Sequence, residues 1–159
     1  MVDKNPGLLL VVNFHGAINS SSGVRKALDE MKVIRRFSAT VVPDDSPTLG
    51  MLKLCKDRVA WSPIGTEFLA SLLKERGMVS TDRRLDADSL KKAGFKTHAD
   101  MAKKMTENGT RLSAVEGVKP FFRLAPPRGG FKRSLRRQYT ERGLLGSNPK
   151  LEEIVKRMV

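Results

Sequence analysis

The sequence predicts an α+β fold built on a small β-α-β-α-β core. Two apolar stretches of strand length, LLLVVNF at residues 8–14 and SATVVP at residues 38–43, are typical of buried strands. Between them, apolar residues of the segment 24–31 recur at the i, i+3, i+4 and i+7 positions of an amphipathic helix. Alternation of this kind indicates a small sheet with helices packed on one face.

The first strand and the first helix are separated by a loop of small polar residues, 15–23. Within it, Ser21 or Ser22 can accept a hydrogen bond from the first free amides of the helix and act as its N-cap. The helix itself covers residues 24–31, and Arg25 lies near its start, beside the loop. Residues 33–36 then lead into the second strand.

The second helix and the third strand complete the core. Pro47, which follows two aspartates and a serine, is typical of a helix start, and the helix continues over residues 48–57. RVAWS at residues 58–62 is a third short strand. We assign residues 1–62 to one α+β domain. The pattern leaves its strand order open, and the sheet face opposite the helices remains for later segments or for a partner.

Residues 63–118 are predicted to be a helical extension. Amphipathic patterns and stop signals predict helices over residues 66–76, 86–93 and 98–108, with Gly77, Gly94 and Gly109 at their ends. Residues 78–85 are predicted to be a linker or a strand. The last two helices carry little apolar volume, so we expect an inserted subdomain.

Residues 119–159 are predicted to be a basic arm followed by a C-terminal helix. We expect residues 134–142 to be flexible and to become ordered only when a partner binds. GLLGS at residues 143–147 is predicted to be a turn. Asn148 is the predicted cap of the last helix, which places its apolar residues on one face over residues 149–159.

The charge balance indicates a polyanionic partner. The chain has 159 residues with 30 Lys and Arg against 17 Asp and Glu, a net charge of +13, and a pI near 10.3. Nucleic acid is the leading partner on that balance, and an anionic membrane surface is the alternative. With Cys55 as the single cysteine, no internal disulfide can form, which favours a reducing compartment. We expect no signal peptide, because the first apolar run covers only residues 7–14 and no small-residue cleavage site follows it. We expect no membrane span, because no apolar run approaches about 20 residues.

The densest positive charge lies in residues 119–142, called the basic arm below. It holds eight Lys and Arg against one Glu. A Pro-Pro step at residues 126–127 stiffens it, and a Gly-Gly step at residues 129–130 lets backbone amides approach a phosphate. Phe131 can stack on a base or ribose. The alternative is a solvated basic loop without a partner, although such loops usually mix both signs of charge.

Catalytic patterns are scarce. His15 and His98 are far apart in sequence, and no spacing of His and Cys suggests a metal site. His15 follows a strand and can contact a phosphate or ribose, although a surface or capping role is the simpler explanation. Cys55 fits a small core residue. We therefore expect no catalytic residue, no metal site and no cofactor.

Four segments of the chain carry a resemblance to a known family. They are the β-α-β-α-β start, GMLKLCKDRVAW at residues 50–61, FFRLAPPRGGF at residues 121–131, and GLLGSNPKLEEIVKRM at residues 143–158. Together they resemble the archaeal-type L-thirty family of large-subunit ribosomal proteins, whose eukaryotic members are called L-seven. The resemblance covers nearly the whole chain and is weakest over residues 81–118. Its most specific part is Pro-Pro-Arg-Gly-Gly.

The resemblance implies a ferredoxin-like core with an antiparallel sheet, resting on ribosomal RNA near the contact between 5S rRNA and a helical arm of 23S rRNA. It implies 23S and 5S rRNA and other large-subunit proteins as partners, a cytoplasmic ribosomal location, and neither a small-molecule substrate nor a membrane. It implies binding and assembly rather than catalysis. The matching signature positions are Arg123, Pro126, Pro127, Arg128, Gly129 and Gly130, with Gly50 and Lys53 in the second helix.

The candidate RNA-binding residues combine the arm with the loops and helices of the core. They are His15, Gly16, Arg25, Lys53, Lys56, Arg123, Arg128, Gly129, Gly130, Lys132, Arg133, Arg136, Arg137 and Arg142.

Two other classes of function compete with a structural RNA-binding protein. An RNA-modifying or RNA-processing enzyme with a basic substrate groove would need a catalytic group that the sequence does not offer. A peripheral membrane protein would need a helix that is basic on one face and aromatic on the other, whereas the helix at residues 66–76 has one Phe and two cations.

Overall fold

A six-stranded sheet organises the protein, in a computed structural model that describes residues 7–159. The strands are β1 (Leu8–Asn13), β2 (Ser38–Pro43), β3 (Val59–Pro63), β4 (Phe122–Arg123), β5 (Ser134–Gln138) and β6 (Gly143–Ser147). The helices are α1 (Ser22–Glu30), α2 (Ser46–Leu54), α3 (Thr66–Arg76), α4 (Ala87–Lys92), α5 (His98–Asn108) and α6 (Leu151–Met158). Single 3-10 turns lie at Leu112–Ala114 and Tyr139–Glu141.

The sheet has the strand order β4-β2-β1-β3-β6-β5. β1 lies at the centre of the first three strands and pairs antiparallel with both β2 and β3. β4 adds an antiparallel edge to β2, whereas β6 pairs parallel with β3 and with β5. The predicted α+β class is confirmed, and the ferredoxin-like description holds in outline.

Both faces of the sheet are covered by helices of the chain itself. Along β1, Leu8, Leu10 and Val12 belong to a core with the buried residues of α3, α5 and α6. The alternate residues Leu9 and Val11 belong to a second core with those of α1 and α2. Because successive strand residues point to opposite faces, a strand buried on both faces is apolar without alternation, as LLLVV is. Helices α1 and α2 therefore share one face, as expected, and later segments cover the other.

Side chains cap the first two helices, and the predicted cap of α1 is confirmed, whereas α3, α4 and α6 start without a side-chain cap bond. Ser21 caps α1 by accepting the Val24 N–H at 3.4 Å, and Asp45 caps α2 by accepting the Thr48 N–H at 2.9 Å. Helix α5 ends on Gly109 in the left-handed region, with φ of 59°. Cys55 is buried in the core, as expected, and burial raises the pKa of its thiol.

Two predictions for the C-terminal third are wrong. Residues 134–142, expected to be flexible, form β5 and a 3-10 turn, and residues 143–147, expected to be a turn, form strand β6. The glycines of β6 serve close packing rather than a reversal of the chain. A Cβ on Gly143 would overlap the Arg137 carbonyl, and one on Gly146 would overlap the Gln138 side chain.

The C-terminal helix starts slightly later than predicted. Asn148 is buried, and its side-chain oxygen accepts the Lys150 N–H at 2.9 Å, ahead of α6. Because β4 and β6 lie in one sheet with β1–β3, segments from the start and the end of the chain share that sheet. The division into residues 1–62, 63–118 and 119–159 stays a prediction. Within residues 7–159, no helix is long and apolar enough to cross a bilayer.

Candidate nucleic-acid interface

A buried asparagine joins two loops at one end of the sheet. Asn13, fully buried at the end of β1, donates from Nδ2 to the Val33 carbonyl at 2.6 Å. Its Oδ1 accepts the His15 N–H at 3.0 Å and the Gly16 N–H at 2.8 Å. Because β1 and β2 are antiparallel, the loop that follows β1 lies beside the loop that precedes β2, and Asn13 links the two.

The loop that follows β1 is held in place by further bonds to its carbonyl groups. The Arg58 guanidinium donates to the Gly16 carbonyl at 3.2 Å and to the Asn19 carbonyl at 3.0 Å. Arg25 Nε donates to the Ala17 carbonyl at 3.3 Å. Gly16 has a φ of +71°, a left-handed conformation in which a side chain would be strained. Both Gly16 and Arg25, predicted from sequence, are thus fixed in this loop structure.

The two loops and α1 enclose an open groove of about 940 Å³, called the loop groove below. His15, Gly16 and Arg25 line it, as candidates from the sequence, together with residues that sequence reasoning did not select. The additional lining residues are Ala17, Ile18, Lys26, Asp29, Ile34, Arg35 and Arg36. Four of the ten lining residues are Lys or Arg and one is acidic, so the groove attracts anions.

The basic arm is anchored beside this groove by aromatic packing. Phe131 lies with its ring centroid 5.7 Å from that of Phe14 in an edge-on contact, and 6.1 Å from that of Phe37 in a stacked one. His15 Nε2 forms a hydrogen bond with the carbonyl of Leu135 in β5. The prediction that Phe131 stacks on a base is not supported, because its ring packs against the protein core.

Backbone bonds attach the rest of the arm to the body. The Leu124 N–H donates to the Phe37 carbonyl at 3.0 Å, and the Arg128 N–H donates to the Arg157 carbonyl at 3.1 Å. At the far end, Gln138 Nε2 donates to the Lys56 carbonyl at 3.0 Å. The arm is therefore pinned along its length, which the expectation of a flexible segment missed.

The cationic side chains along the arm are exposed to solvent. Its exposed cations are Arg123, Arg128, Lys132, Arg133, Arg136, Arg137 and Arg142. The two ion pairs found among residues 7–159, Arg83–Asp86 and Lys104–Asp100, lie elsewhere. Within the arm, the Arg133 guanidinium lies 4.9 Å from the Tyr139 ring centroid. A pinned backbone with exposed cations that lack carboxylate partners suits the binding of several phosphates.

The glycines of the arm form a turn. Gly129 and Gly130 have φ of +80° and +73°, and the Gly130 N–H donates to the Pro127 carbonyl at 3.0 Å. The Gly130 amide is thus already engaged within the turn, in contrast to the free approach to a phosphate expected from sequence. The Arg157 guanidinium donates to the Gly130 carbonyl at 3.2 Å and holds the turn against α6.

The remaining candidates are spread over the surface. Arg123 lies on the edge strand β4 and lines a second hollow, of about 300 Å³, with Lys32 and Arg35. Arg35 lines both hollows and so connects them. Lys53 is exposed in the last turn of α2, in the helical layer rather than in the groove lining or the arm. Lys56 touches the arm through its carbonyl.

Residues 32–36, which carry Lys32, Arg35 and Arg36, are the main feature that sequence reasoning missed. Three cations in five residues between a helix and a strand were the available signal. Arg36 Nε donates to the Phe14 carbonyl at 3.0 Å, and its guanidinium lies 4.8 Å from the Phe37 ring centroid. Only the antiparallel pairing of β1 and β2 places these cations next to His15.

The described residues do not group into a metal site. Among residues 7–159, no three His, Cys, Asp or Glu side chains lie close enough together to hold a metal ion. His98 Nε2 instead forms a hydrogen bond with the Leu85 carbonyl at 3.0 Å, a structural role in the helical extension.

Comparison with known proteins identifies the family. No family model matches the chain. The chain is 36% identical over 151 residues to Large ribosomal subunit protein uL30 of Nitrosopumilus maritimus, covering 95% of this chain and 97% of that protein. It is also 36% identical over 155 residues to the uL30 of Ignicoccus hospitalis, covering 96% of this chain and 98% of that one. The chain belongs to the uL30 family of large ribosomal subunit proteins.

The uL30 assignment confirms the archaeal-type L-thirty resemblance drawn from four sequence segments. A third archaeal uL30, from Thermofilum pendens, is 36% identical over 140 residues and matches 87% of this chain. These uL30 relatives are named as ribosomal proteins, which agrees with the prediction that the chain is not an enzyme.

Proposed function

We propose that the protein is a structural constituent of the large ribosomal subunit and works on the ribosome in the cytoplasm. The observation that carries this proposal is the near full-length match to archaeal proteins named as large-subunit uL30, which covers 97% and 98% of two of them. A match of that extent includes the core, the helical extension and the basic arm together.

We infer further that the protein binds ribosomal RNA through the basic arm and the loop groove, near the contact between 5S and 23S rRNA. The exposed arm cations, free of carboxylate partners within residues 7–159, support phosphate binding. Because their backbone is fixed, they match a surface of fixed shape, as proteins do when they recognise folded RNA rather than a base sequence. Other large-subunit proteins are the remaining expected neighbours.

A role as an RNA-modifying enzyme gains no support. The loop groove is basic, as a substrate groove would be, but its single imidazole, His15, is bonded to the Leu135 carbonyl. The uL30 relatives carry ribosomal names.

Sedimentation tests the proposed function directly. A tagged copy of the full chain, expressed in cells of an archaeon, should co-migrate with large subunits in a sucrose gradient and stay with them in moderate salt. A variant with Arg128, Lys132, Arg133, Arg136 and Arg137 changed to Ser should shift toward the top of the gradient. A wild-type protein that sediments only as a free monomer would contradict the proposal.

The two RNA partners are separated by binding to each alone. Filter binding with deproteinised 23S rRNA and with 5S rRNA, alone and annealed together, should give the tightest binding for the combined RNAs. Equal affinity for an unrelated RNA of the same length would reduce the interaction to nonspecific charge attraction.

A further inference from the structure

The loop groove contains apolar side chains that a phosphate-binding surface does not need. Ile18 and Ile34 both line it, and they are 78% and 43% exposed. Residues 7–159 contain one other large hydrophobic side chain with comparable exposure, Leu54 at 56%, outside the groove lining. Exposed apolar side chains concentrated in a concave site indicate a binding surface.

The walls of the groove are preformed. Asn13 ties one wall to the other through its bonds to Val33 and Gly16, and Arg58 fixes two carbonyl groups of the loop that carries Ile18. A Cβ built on Gly16 would lie 3.5 Å from the Arg36 N atom, so the two loops are in contact. A site whose backbone is held in this way needs little ordering of its loops when it binds.

The charges around the groove define the chemistry of its occupant. Arg25, Lys26, Arg35 and Arg36 line the groove together with the apolar residues, and Asp29 is the single acid among the lining residues. The occupant must therefore combine an apolar body with negative charge. An unpaired nucleotide has this combination, because its base has an apolar face and its sugar carries phosphates. A paired duplex presents its phosphates but keeps its base faces stacked.

We propose that the loop groove binds an unpaired nucleotide of the RNA, with the base against Ile18 and Ile34 and the flanking phosphates toward the four cations that line the groove. This inference rests on the proposed function, since it requires that the protein binds RNA. It adds that the groove selects RNA with a base turned out of its helix, whereas the arm contacts phosphates only.

The test separates the groove from the arm by changing apolar residues alone. The full chain and the double variant Ile18→Ser/Ile34→Ser are titrated with deproteinised large-subunit rRNA by filter binding at several salt concentrations. The matched control is Leu54→Ser, which removes an equally exposed apolar side chain outside the groove lining. Dimethyl sulfate probing of the same complexes reports which unpaired bases each protein protects.

The double variant should bind about tenfold more weakly, in the range that loss of one base contact costs. The slope of affinity against salt should stay unchanged, because no phosphate contact is removed. One base or a short run of bases should be protected by the wild type and by Leu54→Ser but not by the double variant. Since both isoleucines are exposed, thermal unfolding of the variants should match that of the wild type.

Three results would overturn the inference. The double variant could keep wild-type affinity and protection, or Leu54→Ser could cause an equal loss, and either result removes the groove as a base site. Alternatively, the double variant could bind free rRNA normally yet fail to co-migrate with large subunits in the sucrose gradient. That result would assign the groove to an acidic protein segment. All three results leave the proposed function intact. A wild-type protein that binds no ribosomal RNA would contradict both the proposed rRNA binding and the nucleotide site.

Discussion

The basic arm and the loop groove lie beside each other, joined by the bond between His15 and the Leu135 carbonyl, yet they use different means of binding. The arm displays exposed cations on a backbone held at several points, with Phe122 and Phe131 turned toward the core. The groove combines two exposed isoleucines with four lining cations. Charge displayed outward gives affinity that depends steeply on salt, whereas apolar contact gives selectivity that salt hardly changes.

Removing the arm charges should produce the largest effect. Each phosphate contact should contribute about 0.7 log units of affinity at 0.1 M salt, which is one decade below 1 M. With Arg128, Lys132, Arg133, Arg136 and Arg137 changed to Ser, the affinity for ribosomal RNA at 0.1 M salt should therefore fall by roughly 10³-fold. The slope of log affinity against log salt, measured by filter binding, should flatten by about 3–4. A matched control changes five exposed cations of the helical extension, residues 63–118, to Ser. They are Lys74, Lys91, Lys92, Lys96 and Lys103. An unchanged slope, or an equal loss in the control, would remove the arm as the main phosphate contact.

A substitution of Asn13 should show that buried hydrogen bonds hold the two walls of the groove together. Asn13→Ala leaves the Val33 carbonyl and the His15 and Gly16 amides without their partner, so the free energy of unfolding should drop by about 3 kcal/mol. Urea denaturation measures this change. Asn108→Ala, at the exposed end of α5, is the control and should stay within about 0.5 kcal/mol of wild type. If Asn13→Ala were equally mild, the two loops would be held by other contacts.

Phe131 should connect the arm to the core without contributing charge. Phe131→Ala removes a half-buried ring from contact with Phe14 and Phe37 and should lower the free energy of unfolding by about 2 kcal/mol. RNA affinity should fall while the salt slope is kept, because every cation remains. Phe131→Leu retains most of the apolar contact and should recover at least half of the lost stability. A salt slope that flattens in Phe131→Ala would mean that the ring also orients the phosphate contacts.

Asp45 caps α2 outside both binding regions and should give the smallest effect. Hydrogen bonding to Thr48 holds the pKa of the Asp45 carboxyl below its ordinary value of 3.8. The cap therefore stabilises the fold at pH values above the unfolded pKa, and its contribution is lost as the pH falls through the lower folded pKa. Asp45→Ala should cost about 1 kcal/mol at pH 7 and progressively less in strong acid. RNA affinity at pH 7 should not change. A loss of affinity would mean that the start of α2 also contributes to RNA binding, outside the arm and the groove.

The core could be predicted from sequence because each of its elements carries its own signal. β2 and α5 have the predicted bounds, since β-branched residues mark the first and a helical apolar pattern with a closing glycine marks the second. The predictions for β5 and β6 failed because these two segments carry no strand signal of their own. SLRRQ is mostly polar and GLLGS reads as a turn, and both become strands only because β6 pairs with the edge of β3. Tertiary pairing decides such segments, and local patterns do not contain it.

The candidate site was predictable in its charges and not in its shape. The cations of the arm and the residues His15, Gly16 and Arg25 were found from sequence, and the structure sets the groove lined by these three beside the arm. Asn13, Arg36 and Arg58 were missed because their roles are bonds across sequence distances of 20 residues or more, to Val33, Phe14 and Gly16. Without the antiparallel pairing of β1 and β2, the two walls of the groove cannot be placed side by side.

The position of β6 in the sheet has a consequence for synthesis of the protein. β3 has β6 as its outer neighbour, and β6 is translated after β3, the helices α3–α5 and the arm. Until that strand emerges, the nascent chain carries an unpaired edge on β3, and β5, which precedes β6, has no strand to pair with. A polypeptide truncated before residue 143 would thus lack the strand that links β5 to β3, and it would hold the arm through the pairing of β4 with β2 and the contacts of Phe131, His15 and Gln138.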